Sequence, residues 1–244
     1  MQHFNVTQLN PETVTVGEIV AANYNAAGIF RRYGLDFCCG GGITLEKACS
    51  ERNIYLDEIV NELRGLEKAP SSDNENYRAW EADYLIEHII HTHHRFVRRK
   101  TEEISAYAGK VAKVHGGRYP ENVEIYQKFM SLSVELMEHL EDEEKTVFPL
   151  ISRIAQRRKK GENVTVEEIA NLKDELKKME DDHEGAGGLI AEIRELSHNF
   201  TPPQDACATF KILYQNLEGF EQDLHKHVHL ENNILFKKDE ELIA

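Results

Sequence analysis

Hydrophobic residues recur every three or four positions along most of this chain, which is the period of an amphipathic α-helix. No stretch alternates hydrophobic and polar residues convincingly, as a half-buried strand would. Capping residues, glycines and prolines divide the second part of the chain into four long helices with short connections. We predict these helices at 78–108, 120–160, 165–198 and 201–238, with a kink in the second near Pro149. Such a pattern favours a four-helix bundle.

The first part of the chain is predicted to form shorter helices. One is expected at 16–33, ended by Gly34 in a left-handed conformation, and two more are expected at the capping residues Thr44 and Asp57. Residues 69–76 are rich in Pro, Ser, Asp and Asn and have the composition of a linker. The predicted fold is therefore all-α, with a small helical domain at 1–70 and a four-helix bundle at 77–244.

The composition narrows the function classes. The 244 residues carry 43 acidic and 29 basic side chains, a net charge of −14, so nucleic-acid binding is not expected. No hydrophobic run approaches the roughly 20 residues that span a bilayer, and the N-terminus does not have the pattern of a secretory signal. The four cysteines, at 38, 39, 49 and 207, are too few and too clustered for a disulfide framework. We expect a cytoplasmic protein that contacts no membrane.

Two copies of one motif carry the candidate chemistry. Residues 139–148 and 227–236 both fit His-x3-Glu-x4-Phe. The i, i+4 spacing places His139 with Glu143, and His227 with Glu231, on one face of a helix. Both pairs interrupt hydrophobic stripes that carry no nearby Lys or Arg. Because burying unpaired carboxylates is costly, metal cations are the simplest compensation.

The other two bundle helices each add one histidine to the inward stripe. His94 and His183 lie on these stripes, whereas His88, His91 and His93 lie off them and are expected at the surface. Four imidazoles and two carboxylates suit two metal ions, each held by two imidazoles and both bridged by the carboxylates. Such ligands favour Fe or Mn, with Zn a weaker candidate, and leave coordination positions open. The predicted metal ligands are His94, His139, Glu143, His183, His227 and Glu231.

Three further polar residues have two interpretations each. Glu135, one turn before His139, and Asp182, beside His183, either orient a ligand imidazole or lie in solvent. His115, between the first two bundle helices, is either an alternative ligand or a loop residue, and the loop is favoured.

The loop after the first predicted helix reads YGLDFCCGGG, from Tyr33 to Gly42. Adjacent Cys38 and Cys39 beside three glycines predict two thiols on exposed, flexible backbone, and a helix beginning there would lower a thiol pKa. A structural pair of buried cysteines is the alternative. The glycines favour a reactive pair, so Cys38 and Cys39 are the predicted catalytic residues.

The chain resembles the bacterial Repair of Iron Centers family. The resemblance covers nearly the whole chain. YGLDFCCGG is similar to the motif of the family's small N-terminal domain, and the remainder resembles a hemerythrin-like bundle. The resemblance implies a non-haem di-iron centre bridged by the two glutamates, for which we expect an oxo or hydroxo bridge. The matching segments are HIIHTHH with His94, HLEDEE with His139 and Glu143, DDHEGAG with His183, and HVHLENN with His227 and Glu231.

The resemblance also implies a role in the stress response. Its members repair iron–sulfur clusters damaged by nitric oxide or peroxide, which suggests iron donation here. The expected protein partners are damaged iron–sulfur proteins, and the expected small ligands are nitric oxide or peroxide. The oligomeric state stays open, with a homodimer as one alternative. A di-iron nitric oxide reductase or peroxide-handling enzyme is the alternative, because it would use the same site. Whether the protein is an enzyme therefore stays open, and the Cys-Cys domain favours repair.

Overall fold

The computed structural model describes residues 10–66 and 76–238 of the chain. Helices form nearly all the regular structure in these ranges, where the one extended pairing is an isolated bridge between Thr15 and Thr44. The all-α prediction is confirmed. Among the described residues, one compact unit holds 10–66, 76–81 and 228–238, and the other holds 82–227.

The first unit contains short helices, and the predicted helix at 16–33 is wrong as a single element. It is broken at Asn23, which is extended at φ −151° and whose side chain accepts a hydrogen bond from the Asn25 N–H at 3.0 Å. Asn side chains compete in this way with helical hydrogen bonds. The elements are α1 (Val16–Ala22), α2 (Ala26–Arg32), α3 (Leu45–Glu51), α4 (Leu56–Leu66) and a 3₁₀ turn (Tyr77–Ala79).

Most of the predicted turn chemistry of this unit is confirmed. Gly34 adopts φ +67°, and the Thr44 hydroxyl accepts the Lys47 N–H at the start of α3. Asp57, predicted as a cap, instead lies in the first turn of α4. The predicted linker at 69–76 lies, apart from its last residue, outside the described residues.

The predicted helical bundle is confirmed; the second unit holds its helices up to residue 227, and residues 228–238, which end the last helix, belong to the first unit. Three of the four bundle helices are interrupted by one π-helical turn, and the third helix, α9, is continuous. The elements are α5 (Ala82–Ile89), π1 (Ile90–His94) and α6 (Arg95–His115); α7 (Glu121–Asp142), π2 (Glu143–Val147) and α8 (Phe148–Lys159); α9 (Val166–Leu196); and α10 (Ala208–Leu230), followed by π3 (Glu231–Leu235).

Two predicted ends of bundle helices are wrong. The first helix does not stop at Gly109 but continues to His115, and a Cβ at Gly109 would lie 3.4 Å from the Tyr126 ring. A glycine inside a helix costs only about 1 kcal/mol relative to alanine, which packing readily offsets. The last helix begins at Ala208 and not at Thr201, so the prolines of the preceding loop do not open it. No helix in the described ranges is both long and apolar enough to cross a bilayer.

Candidate metal centre

The three π-helical turns all coincide with predicted metal ligands. His94 is the last residue of π1, whereas Glu143 and Glu231 are the first residues of π2 and π3. A π turn inserts a residue into the α-helical register, and such turns are frequent at functional sites. The widened turns therefore set which side chains of these helices face the interior.

Glu143 divides its two carboxylate oxygens between two histidines. Oε2 lies 3.3 Å from Nε2 of His94, and Oε1 lies 3.4 Å from Nε2 of His139. Two donor atoms that each stand about 2.1 Å from one ion are about 3.0 Å apart at an octahedral angle and about 3.4 Å apart at a tetrahedral angle. Both observed separations fall in that range. Each oxygen is therefore placed where it and the facing histidine could share one ion.

The outer nitrogens of the same two histidines face other carboxylates. Nδ1 of His94 lies 2.8 Å from Oε1 of Glu144, and Nδ1 of His139 lies 3.4 Å from Oδ2 of Asp182. Because an ionised carboxylate only accepts, these contacts favour a proton on each Nδ1, and a neutral imidazole of that tautomer presents its Nε2 lone pair to Glu143. A lone pair that faces a carboxylate oxygen is repelled unless a cation lies between them. These are the tautomers that bind metal.

The four predicted histidines meet in two pairs. The Nε2 atoms of His139 and His183 lie 2.9 Å apart, and their ring centroids lie 4.7 Å apart. The rings of His94 and His227 are 4.9 Å apart and tilted by 59°. Each pair thus brings two imidazoles to one point, as a shared ion requires.

Adding the glutamates gives two groups of four candidate donor residues. In each group, one donor atom from every residue lies within 4.8 Å of the others, and Glu143 and Glu231 belong to both groups. Glu231 reaches the site from the same continuous helical segment as His227, one turn further on. The six side chains are at most 5% exposed. The first group adds His94 and His227, and the second adds His139 and His183.

Glu144 is a site residue that the sequence analysis missed. Its Oε1 also accepts a hydrogen bond from Arg98 at 2.8 Å. Burial raises the pKa of the Glu144 carboxyl, but the hydrogen bonds from Arg98 and His94 outweigh it and hold the pKa below its ordinary value. Glu144 therefore stays ionised and fixes the proton of His94 on Nδ1. The signal available in the sequence was its place in the acidic run HLEDEE.

The two interpretations of Glu135 and Asp182 are now distinguishable. Glu135 is exposed, in agreement with the solvent interpretation. Asp182 faces the imidazole of a candidate ligand, but it is that of His139 on another helix and not that of its neighbour His183. His115 is in neither of the predicted places. It is the last residue of α6, and its Nε2 lies 3.3 Å from Sγ of Cys207.

His93 was expected at the surface and is buried. It is 1% exposed, its Nδ1 lies 3.0 Å from Oδ1 of Asp223, and its ring stacks on His227 with centroids 5.7 Å apart. Both His93 and His94 are buried within π1, which covers 90–94. The prediction was wrong because the predicted inward stripe, with one residue per turn, was too narrow to include the neighbour of His94.

The cysteine loop differs from its prediction. Cys38 is buried, at 6% exposure, and Cys39 is half-buried. No helix begins at the pair, since α3 starts at Leu45. The hydrogen bond with Cys39 and burial raise the pKa of the Cys38 thiol well above its usual range. Cys38 is therefore not an exposed thiol with a lowered pKa.

These features define a class of protein. The fold is a helical bundle with paired, buried His and Glu donors. In agreement with it, residues 85–238 match the family model of the hemerythrin HHE cation binding domain, and residues 12–67 match that of ScdA_N, a domain of unknown function.

Curated relatives match almost the full length. An iron–sulfur cluster repair protein ScdA from Staphylococcus haemolyticus is 32% identical over 91% of this chain and 96% of its own length. Proteins named iron–sulfur cluster repair protein YtfE from Enterobacter sp. and Edwardsiella ictaluri are 32% and 34% identical over 91% of this chain, covering 94% and 95% of their lengths. The chain belongs to the family of these ScdA and YtfE proteins, the Repair of Iron Centers family, as its motifs predict.

Proposed function

We propose that the bundle holds a di-iron centre. The observation that carries this proposal is the Glu143 carboxylate, whose oxygens face Nε2 of His94 and of His139 at 3.3 and 3.4 Å. The two donor groups share Glu143 and Glu231, and ions in two-metal sites are typically about 3.5–4 Å apart. The ligands would be His94, His139, Glu143, His183, His227 and Glu231.

Iron is favoured over other metals on two grounds. Nitrogen and oxygen donors without thiolate suit Fe or Mn, and the relatives are named for iron–sulfur cluster repair. When bound, the iron would supply redox chemistry and open coordination positions. The protein's own part is to hold the imidazoles in their metal-binding tautomers through Glu144 and Asp182, and to keep the donors away from bulk water.

The relatives are named for iron–sulfur cluster repair, and we extend this function to clusters damaged by nitric oxide or peroxide, with iron as the donated cargo. The match over more than nine-tenths of each chain supports this extension. Each donor group has four residues, two of them shared, so positions are left open for an ion that has to leave. The four cysteines form no disulfide in the structure, which fits a reducing compartment and supports the cytoplasm as the place of action.

Iron transfer tests the donor function. Full-length protein loaded with two equivalents of iron under anaerobic conditions is mixed with an apo iron–sulfur protein, a sulfide source and a reductant, and cluster absorbance is followed. We expect cluster formation from the loaded wild type and from the exposed-site control Glu135→Gln, and much less from Glu143→Leu. Absence of transfer from the loaded wild type would contradict donation.

The cysteine loop is tested separately. The double variant Cys38→Ser, Cys39→Ser should keep the spectrum of the bundle iron, because no thiolate belongs to either bundle donor group. It should lose cluster repair if the pair takes part in it. Unchanged repair by this variant would reduce the loop to a structural role.

A nitric oxide reductase or peroxide-handling enzyme is the second candidate, because open positions on a di-iron centre also suit it. A chelator competition separates the two functions. Iron release from reduced, oxidised and nitric-oxide-treated protein is compared, and a donor should release iron faster after oxidation or nitrosylation. Equally slow release in all three states would favour the enzyme.

A further inference from the structure

A second cluster of potential metal ligands lies in the first unit, in the loop after α2. One atom each from Asp36, Cys38 and Cys39 lies within 4.8 Å of the others. The two Sγ atoms are 3.8 Å apart, and Sγ of Cys38 is 3.3 Å from Oδ1 of Asp36. The bundle centre uses none of these atoms.

The separation of the sulfurs matches a shared ion. Two thiolates that each stand about 2.3 Å from one tetrahedral ion are about 3.8 Å apart, and a thiolate and a carboxylate oxygen on that ion are about 3.6 Å apart. The observed sulfur–sulfur distance of 3.8 Å agrees with the first value. The observed sulfur–oxygen distance of 3.3 Å is slightly shorter than the second value, and a small rotation of the Asp36 side chain would bring the two into agreement.

The loop is held in this shape by the carboxylate itself. Oδ1 of Asp36 accepts the N–H groups of Cys38 and Cys39 at 2.9 and 3.1 Å, and Oδ2 accepts the N–H of Gly40 at 2.8 Å. A Cβ at Gly41 would lie 2.5 Å from the carbonyl oxygen of Phe37, so the tight turn requires glycine there. Both thiols are thereby kept on the side of the carboxylate.

A second anchor fixes the other side of the loop. The side-chain amide of Asn233 donates to the carbonyl oxygens of Phe37 and Cys38 at 3.3 and 3.1 Å, and that of Asn232 donates to Cys38 at 3.4 Å. These amides hold the Cys38 backbone from a different segment of the same unit. The cluster is therefore preorganised, and not a chance meeting of side chains on a loose loop.

The exposure of the three residues allows an ion to enter and leave. Cys38 is buried, Cys39 is half-buried and Asp36 is exposed, so the cluster opens to solvent on the Asp36 side. Two sulfurs and one oxygen form a donor set of intermediate softness, which suits Fe²⁺ or Zn²⁺ and not Mg²⁺ or Ca²⁺. Three protein ligands leave a fourth position open, as in exchangeable sites.

We propose that Asp36, Cys38 and Cys39 bind one divalent cation of intermediate softness, such as Fe²⁺ or Zn²⁺, at a site separate from the bundle centre. Binding replaces the two S–H bonds by two metal–sulfur bonds and releases two protons to solvent. No electron is transferred. The proposal does not depend on the identity of the bundle metal or on the repair function.

Titration of the metal-free full-length protein with Co²⁺ under anaerobic conditions tests the site. Thiolate-bound Co²⁺ gives a strong near-ultraviolet charge-transfer band, which His and carboxylate ligands do not give. We expect the intensity of this band to correspond to one thiolate-bound Co²⁺ per chain at saturation. Cys38→Ser and Cys39→Ser should each abolish it, Asp36→Asn should weaken binding at least tenfold, and Cys207→Ser, the exposed-thiol control, should keep it. No band in the wild type, or a band that persists in Cys39→Ser, would overturn the proposal.

A second measurement avoids the effect of substitutions on folding. Alkylation of the individual thiols of the wild type is followed by mass spectrometry with and without Zn²⁺. Zn²⁺ should slow alkylation of Cys39 at least tenfold and leave the rate at exposed Cys207 unchanged. Equal rates at Cys39 with and without Zn²⁺ would contradict the site even if a serine variant failed to fold.

Discussion

Replacing Glu143 by Leu should make the protein less stable than the wild type when metal is bound, but equally or more stable than the wild type when metal is absent. Glu143 is 0% exposed, and each of its oxygens faces an imidazole nitrogen. Without a cation, the buried negative charge of Glu143 has to be balanced by uptake of a proton, either on the carboxylate or on a facing imidazole. Exchanging buried ionic groups for a hydrophobic side chain of similar volume is often neutral or stabilising by about 1–4 kcal/mol.

The size of the effect follows from these terms. If the metal-free variant gains about 2 kcal/mol, its melting temperature should rise by about 4–8 °C, since about 1 kcal/mol shifts the midpoint of a domain of this size by about 2–4 °C. With metal present, the wild type gains about 2.7 kcal/mol for each ion supplied at 100 times its Kd. The variant cannot bridge two ions through this position and should lose at least one of these contributions.

Calorimetry with metal analysis measures both parts of this prediction. Wild type, Glu143→Leu and the exposed control Glu135→Leu are compared with two equivalents of Fe²⁺ and with excess chelator. We expect the variant to melt below the wild type with iron and at or above it with chelator, while the control follows the wild type in iron content. Two bound ions in the variant, or a metal-free variant that melts well below the metal-free wild type, would refute the reasoning.

Two other predictions concern charged groups around and away from the centre. Asp182→Asn and Glu144→Gln should each weaken metal binding about 10–100-fold in a chelator competition, because each replaces the charged carboxylate that faces the Nδ1 of a candidate ligand by a neutral amide. Glu135→Gln, at an exposed position, should not weaken it. Arg194→Ala should lower the free energy of unfolding by about 3–5 kcal/mol, because Glu221, 1% exposed, loses its guanidinium partner. When Glu221→Leu is added to Arg194→Ala, the free energy of unfolding measured with urea should recover most of that loss. A double variant that is no more stable than Arg194→Ala alone would contradict the assignment.

The sequence was sufficient to bring the six candidate ligands together. The i, i+4 spacing of His139 with Glu143 uses only helix geometry, and an interrupted hydrophobic stripe marks its inward face. The neighbouring carboxylates were harder to assign. The partner of His139 is Asp182, on another helix, so its identity depends on how the helices pack and not on spacing along either one.

The cysteine loop shows a different reason for error. Glycines beside Cys38 and Cys39 suggested flexible, exposed backbone, because glycine permits many conformations. Here the glycines permit close approach instead, and Asp36 ties three successive N–H groups into one turn. Composition alone does not distinguish a glycine that loosens a loop from one that allows it to close tightly.

The π turns coincide with donors that the helical period predicts. Three helices with a π turn supply five of the six candidate ligands, and α9, which has none, supplies only His183. A π turn gives up regular α-helical hydrogen bonding, and such irregularities persist where a functional site benefits from them. The helical period predicts the donors themselves, since Glu143, Glu231 and His94 each lie on an inward stripe although each belongs to a π turn. It does not predict His93, because a stripe of one residue per turn leaves out the neighbour that is buried beside His94.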